Sequence, residues 1–406
     1  MLTYQKIYKR IRDSLGWINM ADIPDYIGPM AMGLEMGVIV PGIDIVDEVF
    51  ESVKRCYDDD LLDDNDIVCI TESVVARAQD NYVTVDEVSN EIRDELGLKK
   101  DGTIGVVFPI TSRNRFSMIL ESIAGAVPDG KVVVQMSYPC DEVGNQTISP
   151  DFVNDLDKEV ITMDDIHEGV CKHPITEVNY IEYYKGIIED AGAEPKIVLC
   201  NDPLHILDHD PDAVIAADIH TRFDTKNTIC QKFDNCITLC ELFNEGESCS
   251  DWGLLGSNMS SGGRLKLAPR DGNKVVKDIQ KKVKDELGVQ VEVLIYGDGA
   301  YKDPTSGIYE LADPSVTVAS TDGLNRFRRG VKYKFLADTL YHEGKDVDEI
   351  EEILQEKKDS NKSENAIERE GTTPRRMEDL LGSLADLVSG SADAGTPVVL
   401  VKNFLN

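Results

Sequence analysis

The sequence predicts a mixed α and β protein, and three segments carry this prediction. In Lys274–Leu287 the apolar residues recur on one helical face, and Gly288 supplies the stop that often ends a helix. Val289–Tyr296 follows with apolar residues at alternate positions, which is typical of a strand with one buried face. Pro397–Phe404 (PVVLVKNF) predicts a buried final strand. Helices and strands therefore alternate, although their spacing is too irregular for a plain doubly wound sheet.

Shorter periodic segments predict the other elements. Arg113–Val127 predicts a helix, because its apolar residues fall on one side. The polar stretch Lys357–Thr373 predicts a loop or a solvated helix. Short apolar runs predict strands at Asp66–Thr71, Lys131–Met136 and Lys196–Cys200.

The helix predicted near the C-terminus has the clearest sequence pattern. An apolar stripe extends from Met377 to Leu387. Thr373 can cap the helix and Pro374 can occupy its first turn, since both residue types are favoured there. Gly390 can end it.

Composition limits the classes of partner. The 406 residues include 75 acidic and 42 basic residues, which gives a formal charge of −33. That charge disfavours nucleic acid or an anionic membrane as the main partner, because phosphates would be repelled. No run of 18 apolar residues predicts a membrane span, and the N-terminus has no signal-peptide pattern. Nine scattered cysteines favour reduced thiols and a cytoplasmic location.

Several common enzyme motifs are absent from the sequence. G-x-x-x-x-G-K-[ST] does not occur, nor does G-x-G-x-x-G after a predicted strand, so a P-loop kinase or an ordinary Rossmann dehydrogenase is disfavoured. The hydrolase motif G-x-S-x-G is also missing. The cysteines Cys230, Cys236, Cys240 and Cys249 do not follow a standard zinc spacing, so buried free thiols are the preferred interpretation.

Three aspartates are candidate ligands for a hard cation. Asp298 follows the strand Val289–Tyr296 between two glycines, Asp322 lies in STDGLN, and Asp393 lies in the loop SADAG. Mg²⁺ takes oxygen ligands and keeps several waters, so one or two carboxylates suffice. The alternative is an ordinary turn, because Asp-Gly is a common turn dipeptide.

A basic cluster stands out in this acidic chain. The segment RFRRGVKYK contains Arg326, Arg328 and Arg329. Concentrated positive charge could bind a nucleotide phosphate or a carboxylate through forked hydrogen bonds. The alternative is neutralisation of nearby Asp and Glu.

Segments at both ends of the chain resemble the coenzyme F-420 gamma-glutamyl ligase family. VIVPGIDIVDEVFESV, with Gly42 and Asp44, is similar to an entry segment in which Gly-Asp opens a helix. DDNDIVCITESVVARAQDNYV resembles D-G-D, an apolar run and then T-x-K-(V/I)-(V/I)-S-K-A-E-G-R. Thr71 fits this pattern, whereas Ser73 replaces the first family Lys and Arg77 the second.

The later segments extend the resemblance. GLLGSNMSSGG resembles G-I-D-x-S-N and places Asn258 at a family metal-ligand Asp, and Asp298 lies one residue from the next ligand position. Alternatively, STDGLNRFRRGV resembles T-D-x-x-G-R-x-x-R-x-G and makes Asp322 the ligand. RMEDLLGSLADLVSGSADAGTPVVLVKN is similar to the family's terminal helix, acidic glycine-rich loop and strand.

The resemblance implies a gamma-glutamyl ligase-like fold interrupted by an insertion. Residues 1–100 would form the N-terminal part of the core, residues 101–249 an inserted α/β domain, and residues 250–406 the C-terminal part. The family forms dimers, so a homodimer is expected.

The resemblance also implies an activity. The family attaches glutamate to a carboxylate acceptor, using GTP (or ATP here) and Mg²⁺ or Mn²⁺, so small-molecule substrates are expected. Two other functions stay open, namely a non-catalytic nucleotide- or metal-binding protein on the same scaffold and a metal-dependent hydrolase. The predicted metal residues are Asp298, Asp322, Asn258 and Asp393. The predicted phosphate-binding residues are Arg77, Arg326, Arg328 and Arg329.

Overall fold

The fold was analysed in a computed structural model. It describes residues 27–156, 158–167, 169–174, 176–297, 301–302, 309–310, 316–325, 327–328, 332–360, 375–389 and 395–405. Within these ranges the α-helices, in chain order, are α1 Ile45–Asp58, α2 Glu72–Ala78, α3 Val85–Glu95, α4 Phe116–Ala126, α5 Pro150–Leu156, α6 Tyr180–Asp190, α7 Arg222–Cys230, α8 Gly272–Leu287, α9 Tyr333–His342, α10 Val347–Ser360 and α11 Met377–Ser389.

The strands of the same ranges form two large sheets and three small ones. In chain order they are β1 Met30–Leu34, β2 Ile67–Thr71, β3 Tyr82–Thr84, β4 Thr103–Val107, β5 Lys131–Met136, β6 Val160–Thr162, β7 Glu194–Cys200, β8 Ala213–Ala216, β9 Cys236–Thr238, β10 Asn258–Ser260, β11 Arg264–Lys266, β12 Glu292–Tyr296, β13 Tyr301–Lys302, β14 Tyr309–Glu310, β15 Thr317–Ser320, β16 Phe327–Arg328, β17 Arg375–Arg376 and β18 Val398–Lys402.

The first large sheet is mixed and has the order β1-β18-β2-β12-β15. Only β2 and β12 run parallel, and the other neighbours are antiparallel. Helices cover both faces, because the central strands alternate apolar side chains to either side. Val68 and Ile70 pack towards α1 and α8, whereas Ile67 and Cys69 pack towards α11.

The second large sheet has the order β6-β7-β5-β4-β8-β9. All strands except the edge strand β6 are parallel, so strand order reverses between β4 and β8, as in doubly wound sheets. One of the two large sheets therefore has this topology, although the chain as a whole does not. Its strands come from Thr103–Thr238, and its core also includes Val88, Ile92 and Leu265 from outside residues 101–249. The predicted domain boundaries stay a prediction.

A third sheet has three short strands in the order β10-β11-β3. In the sequence, β3 comes between β2 and β4, and β10 and β11 come between β9 and β12, where the chain passes from one large sheet to the other. Its strands are antiparallel, with Lys266 opposite both Asn258 and Tyr82. Val83 and Leu265 are buried in the core of the doubly wound sheet. Side chains alternate across a strand, so the other face of the small sheet carries its polar residues.

Most predicted elements are confirmed, including strands β2, β5, β7 and β18 and the helices α4 and α8. Gly288 ends α8 in the left-handed region, with φ +78°. Three predicted starts are wrong. Helix α4 begins at Phe116 rather than Arg113, because residues 113–115 form a turn. Strand β12 begins at Glu292 rather than Val289, because the Gln290 backbone bonds outside the sheet: its N–H donates to the Asp64 carboxylate at 2.7 Å and its carbonyl accepts from the Asn65 N–H at 2.8 Å. Helix α11 begins at Met377, because Arg375–Arg376 pairs with β16.

Candidate functional site

The parallel strands β2 and β12 end side by side, with Thr71 opposite Tyr296. Neighbouring carboxyl ends of parallel strands form the crevice in which α/β proteins place ligands. Glu72 is the first residue after β2 and opens helix α2. After β12, the backbone N–H of Gly297 donates to the carbonyl of Val316 at 2.9 Å. This bond fixes the end of β12 against the start of β15, next to the point where Glu72 leaves β2.

A buried ion pair lies at this strand end. The Lys266 Nζ is 2.9 Å from Oε1 of Glu72 and 2.7 Å from the Ser73 hydroxyl. Lys266 is 7% exposed and Glu72 8% exposed. Burying two charges costs several kcal/mol per ion, which only good pairing can offset. The ion pair thus joins the small sheet to the mixed sheet.

The ion pair leaves hydrogen-bonding capacity unused. A lysine ammonium has three N–H donors, and its two hydrogen bonds in the described part of the chain use two of them. Oε2 of Glu72 is buried and accepts no hydrogen bond from the described residues. Buried polar atoms are normally satisfied, so one donor and one acceptor here suit a bound polar group.

The ion pair belongs to a polar sheet face, which we define as the side chains of Tyr82, Asn258, Arg264 and Lys266. Residues directly opposite in antiparallel strands point to the same face, so Asn258 and Tyr82 flank Lys266. Arg264 is two positions before Lys266 on β11 and shares its face. The guanidinium of Arg264 lies 4.7 Å from the centre of the Tyr82 ring.

Asn81 holds this face in place. Its side-chain amide donates to the carbonyls of Cys249 and Ala268 at 2.8 and 2.7 Å, and its Oδ1 accepts from the Cys249 N–H at 3.2 Å. Its backbone carbonyl accepts from Leu267 at 3.0 Å. Asn81 is fully buried, so it connects the start of β3 to the end of β11 without access to water.

Three of the predicted site residues have described side chains. Asn258 lies on the polar sheet face, half-buried beside Lys266. Arg77 is exposed on the last turn of α2. Asp322 is also exposed, 3.9 Å from Lys277, and it follows β15 at the amino end of β12. Asn258 therefore lies next to the ion pair, whereas Asp322 lies at the opposite end of β12.

The structure does not describe the side chains of the other predicted residues. Arg328 pairs through its backbone with Arg375, and its side chain is not described. Asp298, Arg326, Arg329 and Asp393 lie outside the described residues. Within the part of the chain that the structure describes, no group of three or more His, Cys, Asp or Glu side chains is placed to hold a metal. The predicted metal and phosphate residues stay predictions.

The sequence reasoning missed Glu72 and Lys266, although each left a signal. Glu72 is an acidic residue placed directly after an apolar strand. The letters R-L-K-L at Arg264–Leu267 alternate polar and apolar residues, which indicates a strand with one polar face. The sequence does not indicate that Glu72 and Lys266 form an ion pair, because they are far apart in the chain.

Fold and site together define a mixed α/β protein with a charged, partly unsatisfied site at the carboxyl end of a sheet. The chain belongs to the F420-0:gamma-glutamyl ligase family, since the model of that family matches residues 33–403. A search of the curated proteins finds no match. Family membership supports a ligase-like activity on small-molecule substrates. Among the described residues, every helix is too short or too polar to traverse a lipid bilayer.

Proposed function

We propose that this protein is a nucleotide- and divalent-metal-dependent amide ligase that adds glutamate or a similar amino acid to a carboxylate acceptor. One observation carries the proposal. Among the described residues, the buried Lys266–Glu72 pair at the end of β2 leaves one N–H donor and one carboxylate oxygen without a partner. A site that offers both a cation and an anion suits a reaction in which a phosphate group and an amine meet.

The reaction needs an activated acceptor, because a carboxylate is a poor electrophile. A carboxylate oxygen of the acceptor attacks the γ-phosphorus of the nucleoside triphosphate. An acyl phosphate forms, and the nucleoside diphosphate leaves. The amine of the amino acid then attacks the acyl phosphate, loses a proton, and expels inorganic phosphate. Phosphoryl transfer relies mainly on positioning and charge neutralisation, so fixed cations at the site are the chief requirement.

Lys266 would supply such a cation. Its ammonium is held by Glu72 and Ser73, so it would not need to reorganise when a phosphate oxygen binds its third N–H. Arg77, Arg326, Arg328 and Arg329 remain the proposed contacts to the rest of a GTP or ATP phosphate chain. Arg side chains fit this task because their fork matches phosphate geometry.

The oxygen donors beside the ion pair fit a hard cation. Oε2 of Glu72 lacks a partner in the described structure, and Asn258 brings an amide oxygen to the same sheet face. Mg²⁺ and Mn²⁺ prefer such oxygen ligands. Asp298, Asp322 and Asp393 are the further proposed ligands. A bound divalent ion would neutralise charge on the transferred phosphoryl group.

A nucleotide titration tests the proposal. Isothermal titration with GTP and ATP in the presence of Mn²⁺ should detect binding by the wild-type protein. The double variant Glu72→Leu/Lys266→Met removes the ion pair without leaving a lone buried charge, so it should fold yet bind at least about 10-fold more weakly. Lys345→Met is the control, because Lys345 lies on the turn between α9 and α10, where its only described side-chain contact is a 3.5 Å ion pair with Glu349.

Turnover separates the two candidate functions. With L-glutamate as the amino acid and F420-0 as the acceptor, the wild-type protein should release phosphate and form an amide. Mass spectrometry would detect the amide product. Nucleotide binding without amide formation would instead support the non-catalytic scaffold. No binding of either nucleotide would overturn the ligase proposal. Homodimerisation and a cytoplasmic location are proposed with it, and the nine cysteines, all free, agree with a reducing compartment.

A further inference from the structure

A cavity of about 340 Å³ opens beside the polar sheet face. Its walls come from two segments, residues 79–87 and residues 247–270. Tyr82 and Arg264 belong to both the cavity and the polar sheet face, and Arg270, Glu87 and Glu247 complete its charged lining. We call it the Arg264 cavity. It is large enough for an amino acid and small for a nucleoside triphosphate.

The two guanidinium groups of the cavity differ in what they can still bind. Arg270 donates to the backbone carbonyls of Gln79, at 2.7 Å, and Glu247. The Gln79 side chain also donates to the Arg270 carbonyl at 2.7 Å and accepts from the Arg270 N–H at 2.8 Å. Arg270 is therefore held in place and forms one wall of the cavity. Arg264 stacks on Tyr82, and its guanidinium donates to no acceptor among the described residues. Arg264 is therefore the group that can hold a carboxylate with paired N–H bonds.

Carboxylates also line the cavity. One oxygen of Glu87 accepts from the Thr84 N–H and hydroxyl at 2.7 and 2.8 Å. These bonds hold the pKa of Glu87 below its usual range, so it stays charged at neutral pH. Glu247 and Asp80 add negative charge at the rim. With three carboxylates and two guanidinium groups in its lining, the cavity would repel a triphosphate, whereas it fits a ligand that carries both ammonium and carboxylate groups.

The cavity lies next to the proposed reaction centre. Tyr82 is directly opposite Lys266 in the small sheet, which places their backbones about 5 Å apart. Arg264 precedes Lys266 by two residues on the same face. A ligand held by Arg264 would therefore lie beside the Lys266–Glu72 pair on the same sheet face.

We infer that the Arg264 cavity is the binding site of the acidic amino acid, with Arg264 holding a carboxylate and the rim carboxylates orienting the ammonium group. This inference rests on the proposed function and deepens it. It assigns the amino acid to a different part of the polar sheet face from the nucleotide.

Arg264→Gln tests the inference by direct binding. L-glutamate is titrated into the full-length protein, with and without a non-hydrolysable nucleotide analogue and Mg²⁺. Loss of a hydrogen-bonded charge contact should weaken L-glutamate binding about 10- to 100-fold, while nucleotide affinity stays unchanged. Arg264→Lys should recover part of the affinity, and L-glutamine should lose less than L-glutamate. Lys345→Gln is the matched control for loss of one positive charge.

The outcomes separate this inference from the proposed function. If the wild-type protein binds nucleotide and forms an amide while Arg264→Gln binds L-glutamate normally, the cavity assignment is overturned and the ligase proposal stands. If Arg264→Gln weakens L-glutamate binding in a protein that binds no nucleotide, the assignment stands and the ligase proposal fails. Absence of L-glutamate binding in every wild-type titration overturns the assignment.

Discussion

Lys266 and Glu72 are 194 positions apart in the sequence, yet the Lys266 ammonium lies 2.9 Å from a Glu72 carboxylate oxygen in the protein interior. Lys266 belongs to the small sheet, and Glu72 is the first residue of α2, directly after strand β2 of the mixed sheet. The ion pair is therefore a bridge between two sheets as well as the centre of the candidate site. Its structural and functional roles can be separated by substitution.

Removing one partner of the ion pair should be costly. Lys266→Met leaves the Glu72 carboxylate buried without a counter-charge, so we expect a loss of about 3–5 kcal/mol in the free energy of unfolding. Urea unfolding followed by circular dichroism would measure it. A loss below about 1 kcal/mol would mean that water or another cation reaches Glu72.

The double variant Glu72→Leu/Lys266→Met is the control for stability. It buries no charge, and replacing a buried ion pair with apolar residues is often neutral or stabilising. We expect its stability to return to within about 1 kcal/mol of the wild-type value, while nucleotide binding stays weak. Recovery of both properties would show that the ion pair is structural only.

A structural feature could be predicted from the sequence when the residues that determine it are close together in the chain. The apolar repeats of α8 and β12 are local, so both elements could be predicted from the segment Lys274–Tyr296 alone. The R-L-K-L alternation also marks a polar face. Which carboxylate Lys266 meets depends on how two sheets pack, and a single sequence does not encode that visibly. The same holds for the strand reversal between β4 and β8, which has no glycine-rich motif to announce it.

A second buried ion pair should support the C-terminal strand. The Lys402 ammonium on β18 lies 2.5 Å from Asp66, 2.9 Å from Asp63 and 2.8 Å from the Leu61 carbonyl. All three N–H donors are used, so Lys402→Met should cost about 3–5 kcal/mol in urea unfolding. Lys345→Met, at an exposed ion pair, should change stability by less than about 0.5 kcal/mol. Equal effects of the two substitutions would contradict this role.

Asn81 should be sensitive to a change of one atom. Asn81→Asp replaces an amide that donates to two carbonyls with a carboxylate that repels them. We expect a loss of roughly 2–4 kcal/mol at pH 7, because two buried acceptors lose their donor beside a buried charge. The polar sheet face should also shift, so L-glutamate binding should weaken.

Asn90→Asp is the matched control, since Asn90 is exposed and accepts one hydrogen bond from Arg93 at 3.0 Å. Its stability should remain within about 0.5 kcal/mol of the wild-type value. Thermal unfolding of both variants at pH 7 would test the contrast. If Asn81→Asp unfolds at the wild-type temperature, the hydrogen bonds of Asn81 to Cys249 and Ala268 do not contribute to stability.

Burial of Asp218 should make stability depend on pH. Asp218 is 1% exposed, and its Oδ2 accepts from the hydroxyls of Thr221 and Thr225 at 2.7 and 2.8 Å, whereas Oδ1 is buried with no described partner. Burial raises the pKa of Asp218, and burial likewise raises the pKa of the neighbouring Glu142. Between the unfolded and folded pKa values the folded protein binds more protons, so this contribution to stability falls as pH rises.

Asp218→Asn removes the buried charge and keeps an oxygen for both threonines. The destabilisation caused by the buried Asp218 charge is absent below the unfolded pKa near 3.9 and complete above the folded pKa. The substitution should therefore stabilise the protein more at pH 8 than at about pH 3.5, which is below the unfolded pKa, measured as the shift of the urea midpoint. A shift that is equal at both pH values would show that Asp218 is not strained by its charge.

Gly105 allows a close approach across the doubly wound sheet. A Cβ at this position of β4 would lie 2.6 Å from Cγ1 of Ile206, which belongs to the 3₁₀ helix Pro203–His209 packed on that face. Gly105→Ala should therefore cost about 1–3 kcal/mol through overpacking. Ile206→Ala alone should also destabilise, because it leaves a cavity. In the double variant the new methyl group occupies part of that cavity, so the two losses should not add. A double-mutant cycle in urea measures this coupling, and strict additivity would show that the 3₁₀ helix moves away from β4 rather than remaining packed against it.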